Sequence, residues 1–364
     1  MRTSETGKTR EGAGRAFRFG VCAAILIVSA ITCGCSNLFN SGSTTPTAYA
    51  TDLYMTEYAN GHVYTFNPST NTGSSSSLVT TAANAGEIKF YKGIGYVAIG
   101  YGTGGIYYFN PASNAPSATL IPGSAGIDAQ YFAFFNATTA YVSTYGTGLY
   151  TFNPSSPGSG ISSSPISGTA SLTTLQEVIV GPDNMIYVAD NGDGAVLRIN
   201  PASNTISATI ATNAAGTTGL FSGVFNSNPG VFVANTGSSI DFVPENASNN
   251  SKATLVTSSI SPERLIQLSD GNLIATGYVT SGSAYSYHTY LVTFSGTTAT
   301  VKELIPGSPF GSGSIAYSNG LVYVPSATSN QLYIFDVSGN QQTYSPVSVM
   351  TSKDSLANIA FYQD

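Results

Sequence analysis

Short apolar segments recur along the chain at a nearly constant spacing. The most regular unit consists of Val178–Val180, Met185–Ala189, Ala195–Ile199 and Thr205–Ile210. The segments between them are rich in Gly, Pro, Asn and Asp, which favour turns. This pattern predicts four short strands joined by tight turns.

The same unit occurs seven times. In each copy one apolar strand ends in Phe-Asn-Pro or a relative of it, and the spacings between these ends are 43, 43, 47, 43, 52 and 41 residues. A repeat of this length that contains several strands is typical of a β-propeller blade. The strand ends are Phe66, Phe109, Phe152, Ile199, Phe242, Phe294 and Phe335.

The predicted inner strands are apolar at nearly every position, which is typical of strands that are buried on both faces. In a propeller each blade lies between two others, so both of its faces are covered. A two-sheet sandwich would instead show alternation of apolar and polar residues. We therefore predict an all-β fold over residues 50–364, a seven-bladed propeller of four-stranded antiparallel blades.

The two ends of the chain are predicted to share one blade. The C-terminal strand Ser355–Tyr362 stands alone, and the first unit, Leu53–Phe66, lacks an inner strand. Residues 336–364 and 50–66 together number 46, close to one repeat. We expect the C-terminal strand to join the N-terminal blade and close the ring, because closure removes the open sheet edges.

The phrase Tyr187–Asp190, followed by Ile199–Pro201 and Thr205–Ile210, resembles the YVTN-type repeat of exported bacterial and archaeal surface propellers. Val233–Thr236 and Tyr96–Ile99 are weaker copies. The resemblance covers about residues 50–364 and implies the propeller fold. Similar propellers include gluconolactonase-like hydrolases, streptogramin-type lyases and binding modules, so the resemblance does not by itself specify an activity.

Residues 1–34 are predicted to be a targeting signal. Residues 1–18 are polar and basic, and Phe19–Thr32 is an apolar stretch of 14 residues, whereas a membrane-spanning helix needs ~20. Residues 35–49 are small and polar and are predicted to form a flexible tether. An uncleaved N-terminal anchor is the alternative, and both interpretations attach the propeller to a membrane.

The segment Thr32–Asn37 resembles the lipobox of bacterial lipoproteins. The resemblance implies cleavage after Gly34 and lipidation of Cys35. The position three before Cys35 departs from the aliphatic preference of the family, and Cys33 is the second choice. Ser36 in place of Asp implies sorting to the outer membrane, so we expect a lipid-anchored protein of the bacterial cell envelope.

The charge of the chain bears on its partners. Five of the 12 basic residues lie before residue 20, and the remaining chain carries 7 basic and 16 acidic residues, a net charge of about −9. A body this acidic disfavours nucleic-acid binding. All three cysteines lie in the signal region, so a chain cleaved at Cys35 forms no internal disulfide. We expect a monomer.

Tyrosines are concentrated in the turns that are predicted to form the ligand-binding face of the propeller. Tyr58, Tyr101 and Tyr145 follow the second strand of three blades, and the insertion Gly277–His288 accounts for the spacing of 52. Tyrosine offers a rigid flat surface with a polar tip, which suits contact with proteins and glycans. A longer hairpin whose rings pack on the next blade is the alternative interpretation. The predicted ligand contacts are Tyr58, Tyr101, Tyr145, Tyr278, Tyr285, Tyr287 and Arg264.

Carboxylates recur where the inner strands begin on the same face. Glu87, Asp128, Glu177 and Glu263, with Asp354, could form a ring of oxygen ligands for a divalent cation such as Ca²⁺. Gluconolactonase-like enzymes use such a metal, although their ligand pattern cannot be matched here residue by residue. Solvated strand ends are the competing interpretation, and no cofactor is expected under it.

Two functions therefore remain open. The favoured hypothesis is a non-catalytic propeller that binds a protein, peptide or glycan at the tyrosine-rich face. The alternative is a metal-dependent hydrolase or lyase that uses the carboxylate ring. A scaffold within an envelope complex is a third interpretation. The sequence offers few catalytic residue types, with two His, no Trp and no cysteine beyond residue 35.

Overall fold

The computed structural model of the chain describes residues 52–74, 76–101, 104–281, 284–308, 314–326, 331–336, 344–348 and 356–362. These residues form seven antiparallel sheets arranged as the blades of a ring. The predicted fold class is confirmed. The predicted signal peptide, the tether, Cys35 and Asp354 lie outside the described residues.

The strands are numbered in chain order and grouped into blades. Blade 1 contains β1 (Leu53–Glu57), β2 (His62–Asn67), β3 (Thr72–Gly73) and β4 (Val79–Thr80). Blade 2 contains β5 (Ala85–Tyr91), β6 (Ile94–Ile99), β7 (Gly105–Phe109) and β8 (Thr119–Leu120). Blade 3 contains β9 (Ala129–Phe134), β10 (Ala140–Thr144) and β11 (Leu149–Phe152), followed by a 3₁₀ turn at Pro157–Ser159. Blade 4 contains β12 (Leu175–Val180), β13 (Ile186–Asp190), β14 (Ala195–Asn200) and β15 (Thr205–Ala211).

The second half of the ring repeats this order. Blade 5 contains β16 (Thr217–Phe225), β17 (Asn228–Asn235), β18 (Ser239–Pro244) and β19 (Thr254–Thr257). Blade 6 contains β20 (Pro262–Gln267), β21 (Leu273–Ser281), β22 (Ala284–Ser295) and β23 (Thr298–Ser308). Blade 7 contains β24 (Ala316–Ser318), β25 (Leu321–Pro325), β26 (Gln331–Asp336) and β27 (Tyr344–Ser348), and the last strand is β28 (Leu356–Phe361).

Closure of the ring occurs as predicted. β28 pairs antiparallel with β1 and is the innermost strand of blade 1, with Met55 opposite Ile359 and Tyr54 opposite Ala360. Blade 3 departs from the four-stranded pattern: its sheet has three strands, and a single bridge between Phe152 and Ile161 takes the place of the fourth.

The core is divided among the gaps between blades. The buried apolar side chains of the described residues form seven clusters, and each cluster joins two adjacent blades. One cluster, for example, packs Tyr54 and Val63 of blade 1 against Ile88 and Val97 of blade 2. This arrangement explains why the inner strands do not alternate, because both faces of each blade are covered.

The recurring Tyr-Val phrase connects blades 2, 3 and 4 to the blades that follow them. Tyr96, Tyr141 and Tyr187 are fully buried in the second strands of blades 2, 3 and 4. The Tyr96 hydroxyl donates to the carbonyl oxygen of Pro154 at 2.5 Å, and the Tyr141 hydroxyl donates to Asn204 Oδ1 at 2.9 Å. Both acceptors lie at the hairpin tip of the following blade, so a motif in one repeat satisfies a polar group in the next.

The Asn-Pro phrase forms the hairpin tips. In four of these tips the Asn side-chain oxygen accepts the backbone N–H two residues further on, at 2.9–3.0 Å. An Asn side chain placed in this way closes the turn locally, and the following Pro has no N–H that would need a partner. The four residues are Asn67, Asn110, Asn153 and Asn200.

Candidate functional site

The innermost strands are bulged at the end where they begin, here called the top face. Pairing with the second strand shifts register there in six of the seven described inner strands. In β5, for example, Ala85 lies opposite Ile99 and Ile88 lies opposite Val97, so Gly86 and Glu87 have no direct partner. A bulge changes the direction of a side chain. The predicted site residues Glu87, Glu177 and Glu263 all occupy such positions.

Glu87 and Lys89 together hold one residue of the neighbouring blade. Glu87 Oε2 accepts the backbone N–H of Phe132 at 2.6 Å, and Lys89 Nζ donates to the carbonyl oxygen of Phe132 at 2.9 Å. The two side chains also form an ion pair at 2.6 Å. Phe132 lies on the inner strand of blade 3, whose inward edge has no further strand to pair with. The two charged side chains therefore provide hydrogen-bond partners for backbone groups at a sheet edge that has no partner strand.

Three other inner-strand side chains act in a related way. Gln267 accepts the N–H of Val224 at 2.9 Å and donates to its carbonyl oxygen at 2.8 Å. Glu177 Oε2 accepts the N–H of Leu220 at 3.1 Å. Asn358 Oδ1 accepts the N–H of Ile88 at 3.3 Å. Polar residues of the inner strands, which surround the central channel of the ring, thus have a structural role that the sequence did not indicate.

The side chain of Arg264 in blade 6 reaches across the central channel to Tyr131 in blade 3. Its guanidinium carbon lies 4.4 Å from the ring centroid of Tyr131 in blade 3, a cation–π contact. Its Nη1 donates to the carbonyl oxygen of Glu263 at 2.8 Å, and its Nε lies 3.9 Å from Glu177 Oε2. The last distance is at the outer limit of an ion pair. Arg264 is 6% exposed, so the predicted ligand contact is largely covered by the protein itself.

Burial dominates the electrostatics of this cluster. Desolvation raises the pKa of Glu177 to about 7, the charge of Glu87 acts in the same direction, and Lys89 and the Leu220 N–H oppose the shift. Desolvation also raises the pKa of Glu87, against the attraction of Lys89. For Arg264, desolvation lowers the pKa to about 10, and Glu87 opposes that shift. In each case the low polarity of the surroundings disfavours the charged form.

The described members of the predicted carboxylate ring, Glu87, Asp128, Glu177 and Glu263, are not grouped as one set of ligands. Within the described residues, no three side chains of His, Cys, Asp and Glu are grouped so that they could hold a metal ion. Glu87 and Glu177 accept backbone N–H groups in the channel, whereas Asp128 bonds to the loop of blade 2. Metal binding stays a prediction, and this arrangement does not favour it.

Three exposed tyrosines lie on the top face of blades 1, 2 and 3. Tyr58, Tyr101 and Tyr145 are 38%, 66% and 51% exposed. Each follows the second strand of its blade, as the repeat predicts. The rings of Tyr58 and Tyr101 are 6.3 Å apart between centroids and meet at 79°. We call these three residues the tyrosine platform.

A chain of hydrogen bonds joins the backbones of the platform. Asn84 N–H donates to the carbonyl oxygen of Tyr58 at 2.7 Å, and Asn84 Nδ2 donates to that of Tyr101 at 3.4 Å. Asp128 Oδ1 accepts the Tyr101 N–H at 2.7 Å, and the carbonyl oxygen of Asp128 accepts the Tyr145 N–H at 3.0 Å. The backbones of the three platform residues are therefore held in place before any ligand arrives.

Tyr101 has a left-handed backbone, with φ of 56°. Asn84 and Asp128, which hold it, also have positive φ, at 68° and 49°. Asn and Asp tolerate this region, but a bulky residue rarely adopts it and loses roughly 1–2 kcal/mol there. An exposed ring at a backbone position that its residue type rarely adopts points to a role for that ring.

The long hairpin of blade 6 rises at the same face. Its strands β21 and β22 pair out to Ser281 and Ala284. Tyr278 and Tyr287 are half-buried, and their rings are 6.1 Å apart. Tyr285 lies opposite Thr280 in this hairpin, and its side chain is outside the described residues. The rings of Tyr278 and Tyr287 are thus engaged with each other rather than presented singly.

His288 is tied into the same hairpin. Its Nδ1 lies 2.5 Å from Glu303 Oε1, and its ring stacks on Tyr290 at 5.7 Å. These contacts are local to β22 and β23. These contacts with Glu303 and Tyr290 give His288 a structural role within the hairpin.

Sequence reasoning missed Asn84, Lys89, Tyr131 and Gln267. Asn84 is the residue just before the inner strand of blade 2, the same position as Asp128 in blade 3, and this equivalence was an available signal. The partners of Lys89 and Gln267 are backbone groups of another blade. Such partners have no signature in side-chain spacing.

The described part of the chain has no helix long and apolar enough to cross a membrane. No family model matches the chain, and no curated protein matches it in sequence.

Solved structures match the fold at low identity. A protein of unknown function from Desulfotomaculum acetoxidans is 13% identical with a TM-score of 0.66, covering 86% of this chain and 99% of its own. A candidate 6-phosphogluconolactonase from Bacteroides fragilis is 13% identical with a TM-score of 0.63, covering 88% and 100%. A protein from Lactobacillus plantarum is 13% identical with a TM-score of 0.62, covering 86% and 99%. These similarities support the β-propeller fold and nothing finer.

Proposed function

We propose that the chain is a binding module that captures a protein, peptide or glycan at the tyrosine platform. The observation that carries this proposal is the exposed ring of Tyr101, held at φ of 56° by hydrogen bonds from Asn84 and to Asp128. A large aromatic side chain whose own backbone is held by hydrogen bonds binds with little loss of conformational entropy.

The channel supports a binding role over a catalytic one. Its carboxylates Glu87 and Glu177 accept backbone N–H groups, and the guanidinium of Arg264 covers the ring of Tyr131. Groups engaged in this way stabilise the ring. The platform, by contrast, presents side chains that the fold does not need for its core, since all three tyrosines are exposed.

We further propose that the propeller is displayed on a bacterial envelope through a lipid on Cys35. The support is the sequence of residues 1–37, with its basic start, its apolar stretch of 14 residues and its lipobox resemblance. Cys35→Ala is expected to move the protein from the membrane fraction to the soluble fraction and to abolish incorporation of a fatty-acid label. Cys33→Ala is the matched control. Label retained by the Cys35→Ala chain and lost from the Cys33→Ala chain would place the anchor on Cys33.

The binding proposal is tested with the double variant Tyr58→Ala/Tyr101→Ala. The purified propeller is immobilised, and the ligands that it retains from solubilised envelope material are identified by mass spectrometry and glycan analysis. We expect the double variant to lose the retained ligand. Leu255→Ala is the control, since Leu255 is 48% exposed on the outer strand of blade 5, outside the platform. Equal retention by the wild type and the double variant would contradict the proposal.

A second candidate function is a hydrolase of the gluconolactonase-like class. Its support is the fold similarity to a candidate 6-phosphogluconolactonase and a pKa of about 7 for Glu177, which burial brings close to the range of a general base. Lactone hydrolysis by the wild type and its loss in Glu177→Gln would favour this candidate. No hydrolysis with or without added divalent cations would remove it.

A further inference from the structure

The rings of Tyr58 and Tyr101 form a corner on the top face. They meet at 79° with centroids 6.3 Å apart, and both are exposed to solvent. Two aromatic rings near a right angle offer a ligand two surfaces at once. The faces of aromatic rings carry negative charge in their quadrupole and attract cations.

A carboxylate lies next to this corner. Asp128 Oδ1 accepts the N–H of Tyr101 at 2.7 Å, and Gln130 Nε2 donates to the same oxygen at 2.7 Å. The charge of Asp128 reaches the corner: the pKa of the Tyr58 hydroxyl is raised by desolvation first, and then by the charges of Tyr101 and Asp128. The carboxylate of Asp128 thus lies at the backbone of Tyr101, beside the corner.

The sequence of the loops that carry the platform, at residues 58–61, 81–84, 100–104 and 145–148, contains no basic residue. On the described inner strands, Lys89 is engaged with Glu87 and Arg264 with Tyr131. The remaining body of the chain is acidic, with a charge of about −9 after residue 20. This charge attracts basic partners over a distance.

We propose that the corner between Tyr58 and Tyr101 binds the cationic side chain of a lysine or arginine on a polypeptide partner, with Asp128 as the counter-charge. The proposal rests on the proposed binding function and specifies its ligand as a basic peptide or protein segment. The ammonium or guanidinium group contacts the two ring faces, and the Asp128 carboxylate lowers the cost of holding that charge there.

The test uses one short peptide whose only charged group is a central lysine, in three forms: unmodified, Nε-acetylated and Nε-trimethylated. Binding to the full propeller is followed by NMR titration or calorimetry. Acetylation removes the charge, whereas trimethylation keeps the charge and removes the hydrogen-bond donors. We expect the unmodified and trimethylated peptides to bind and the acetylated peptide to bind several-fold more weakly, since exposed cation–π contacts contribute about twofold to fivefold each.

Three variants separate the charge from the aromatic surface. Asp128→Asn keeps an oxygen that can accept the Tyr101 N–H and removes the charge, and Tyr101→Ala removes one ring. Each is expected to weaken binding of the two charged peptides by about threefold, with little effect on the acetylated peptide. Asp193→Asn is the matched control, since it removes an exposed charge of the same face in blade 4 and should leave binding unchanged.

The outcomes are distinguishable from failure of the binding function itself. If a neutral oligosaccharide binds and Tyr101→Ala abolishes that binding, while the lysine charge has no effect, the platform binds ligands but the cation inference is wrong. Equal losses in Asp128→Asn and Asp193→Asn would also overturn the inference, because they would show general attraction to an acidic surface. If no envelope ligand is retained by either the wild type or the double tyrosine variant, the proposed function fails as well.

Discussion

The carboxylate of Glu87 accepts the backbone N–H of Phe132 at 2.6 Å, so a charged side chain of blade 2 completes the inner edge of blade 3. Lys89 Nζ donates a hydrogen bond to the carbonyl oxygen of the same residue, Phe132, at 2.9 Å. A β-propeller closes its sheets around a ring, but the inward edge of every inner strand still lacks a partner strand. In this chain several of those edges are satisfied by side chains of the neighbouring blade.

Removal of Glu87 is expected to destabilise the propeller. Glu87→Ala leaves the buried Phe132 N–H without its acceptor and the half-buried Lys89 without its ion-pair partner, which should lower the free energy of unfolding by about 3 kcal/mol. Glu87→Gln keeps an acceptor and should cost less. Urea unfolding of both variants measures the difference, and Asp193→Asn on the surface is the control. Equal stability of Glu87→Ala and wild type would show that the contact with Phe132 contributes nothing.

The tyrosine at position 101 is expected to lower the free energy of unfolding, while its ring contributes to ligand binding. Tyr101→Asn places at φ of 56° a residue that tolerates this region, so the free energy of unfolding should rise by about 0.5–1 kcal/mol. The same variant should lose affinity for the ligand of the platform. Thermal or urea unfolding, together with the capture assay, reports both quantities. A less stable Tyr101→Asn protein would argue that the ring supports the fold.

Glu177 is expected to make stability depend on pH. Burial raises its pKa to about 7, while Lys89 and the Leu220 N–H oppose the shift. Because the folded pKa lies above the unfolded value of about 4.3, the folded state binds the proton more tightly, so the contribution of this group is full at low pH and is lost as pH rises through about 7.

The pH dependence is measured by comparing wild type with Glu177→Gln, which does not titrate. The free energy of unfolding of the wild type, relative to the variant, should fall between about pH 4 and about pH 7, the range between the unfolded and folded pKa values of Glu177. Subtracting the variant removes contributions of other groups, including Glu87 and the nearby Arg264. A constant difference over this range would mean that the pKa of Glu177 is the same in the folded and unfolded states.

Ring closure is expected to depend on Ile359. This residue is 3% exposed, pairs with Met55 and packs in the cluster that joins blades 7 and 1. Ile359→Ala creates a cavity at the closing strand and should cost about 2–4 kcal/mol. Val279→Ala, on the exposed side of blade 6 at 43% exposure, is the control and should change stability by less than about 0.5 kcal/mol. A similar effect of both changes would mean that β28 contributes little to the ring.

Much of the architecture was accessible from the chain alone. The spacing of the Phe-Asn-Pro strands predicted seven blades, and the incomplete units at the two ends predicted the pairing of β28 with β1. These features can be predicted from the sequence because each blade is a local unit with its own strands and turns. The exposed positions of Tyr58, Tyr101 and Tyr145 followed from the same register.

The roles of the channel residues could not be predicted in this way. Glu87, Glu177 and Asp128 start equivalent strands, and the sequence suggested that they act as one set of metal ligands. In the structure Glu87 and Glu177 face backbone edges of the next blade, and Asp128 holds the loop of Tyr101. Side-chain direction at a β-bulge depends on the local register shift, which the residue pattern does not reveal.

The sequence by itself determined the number of blades, the closing strand and the face on which the tyrosines lie, because these depend on hydrophobic period and turn residues within each repeat. Only the tertiary structure decided which carboxylates support the ring and which one holds the platform. The reason is physical: the partners of these groups are main-chain N–H groups of adjacent blades, 27 to 45 residues away in the chain, and they come within hydrogen-bond distance only when those blades pack together.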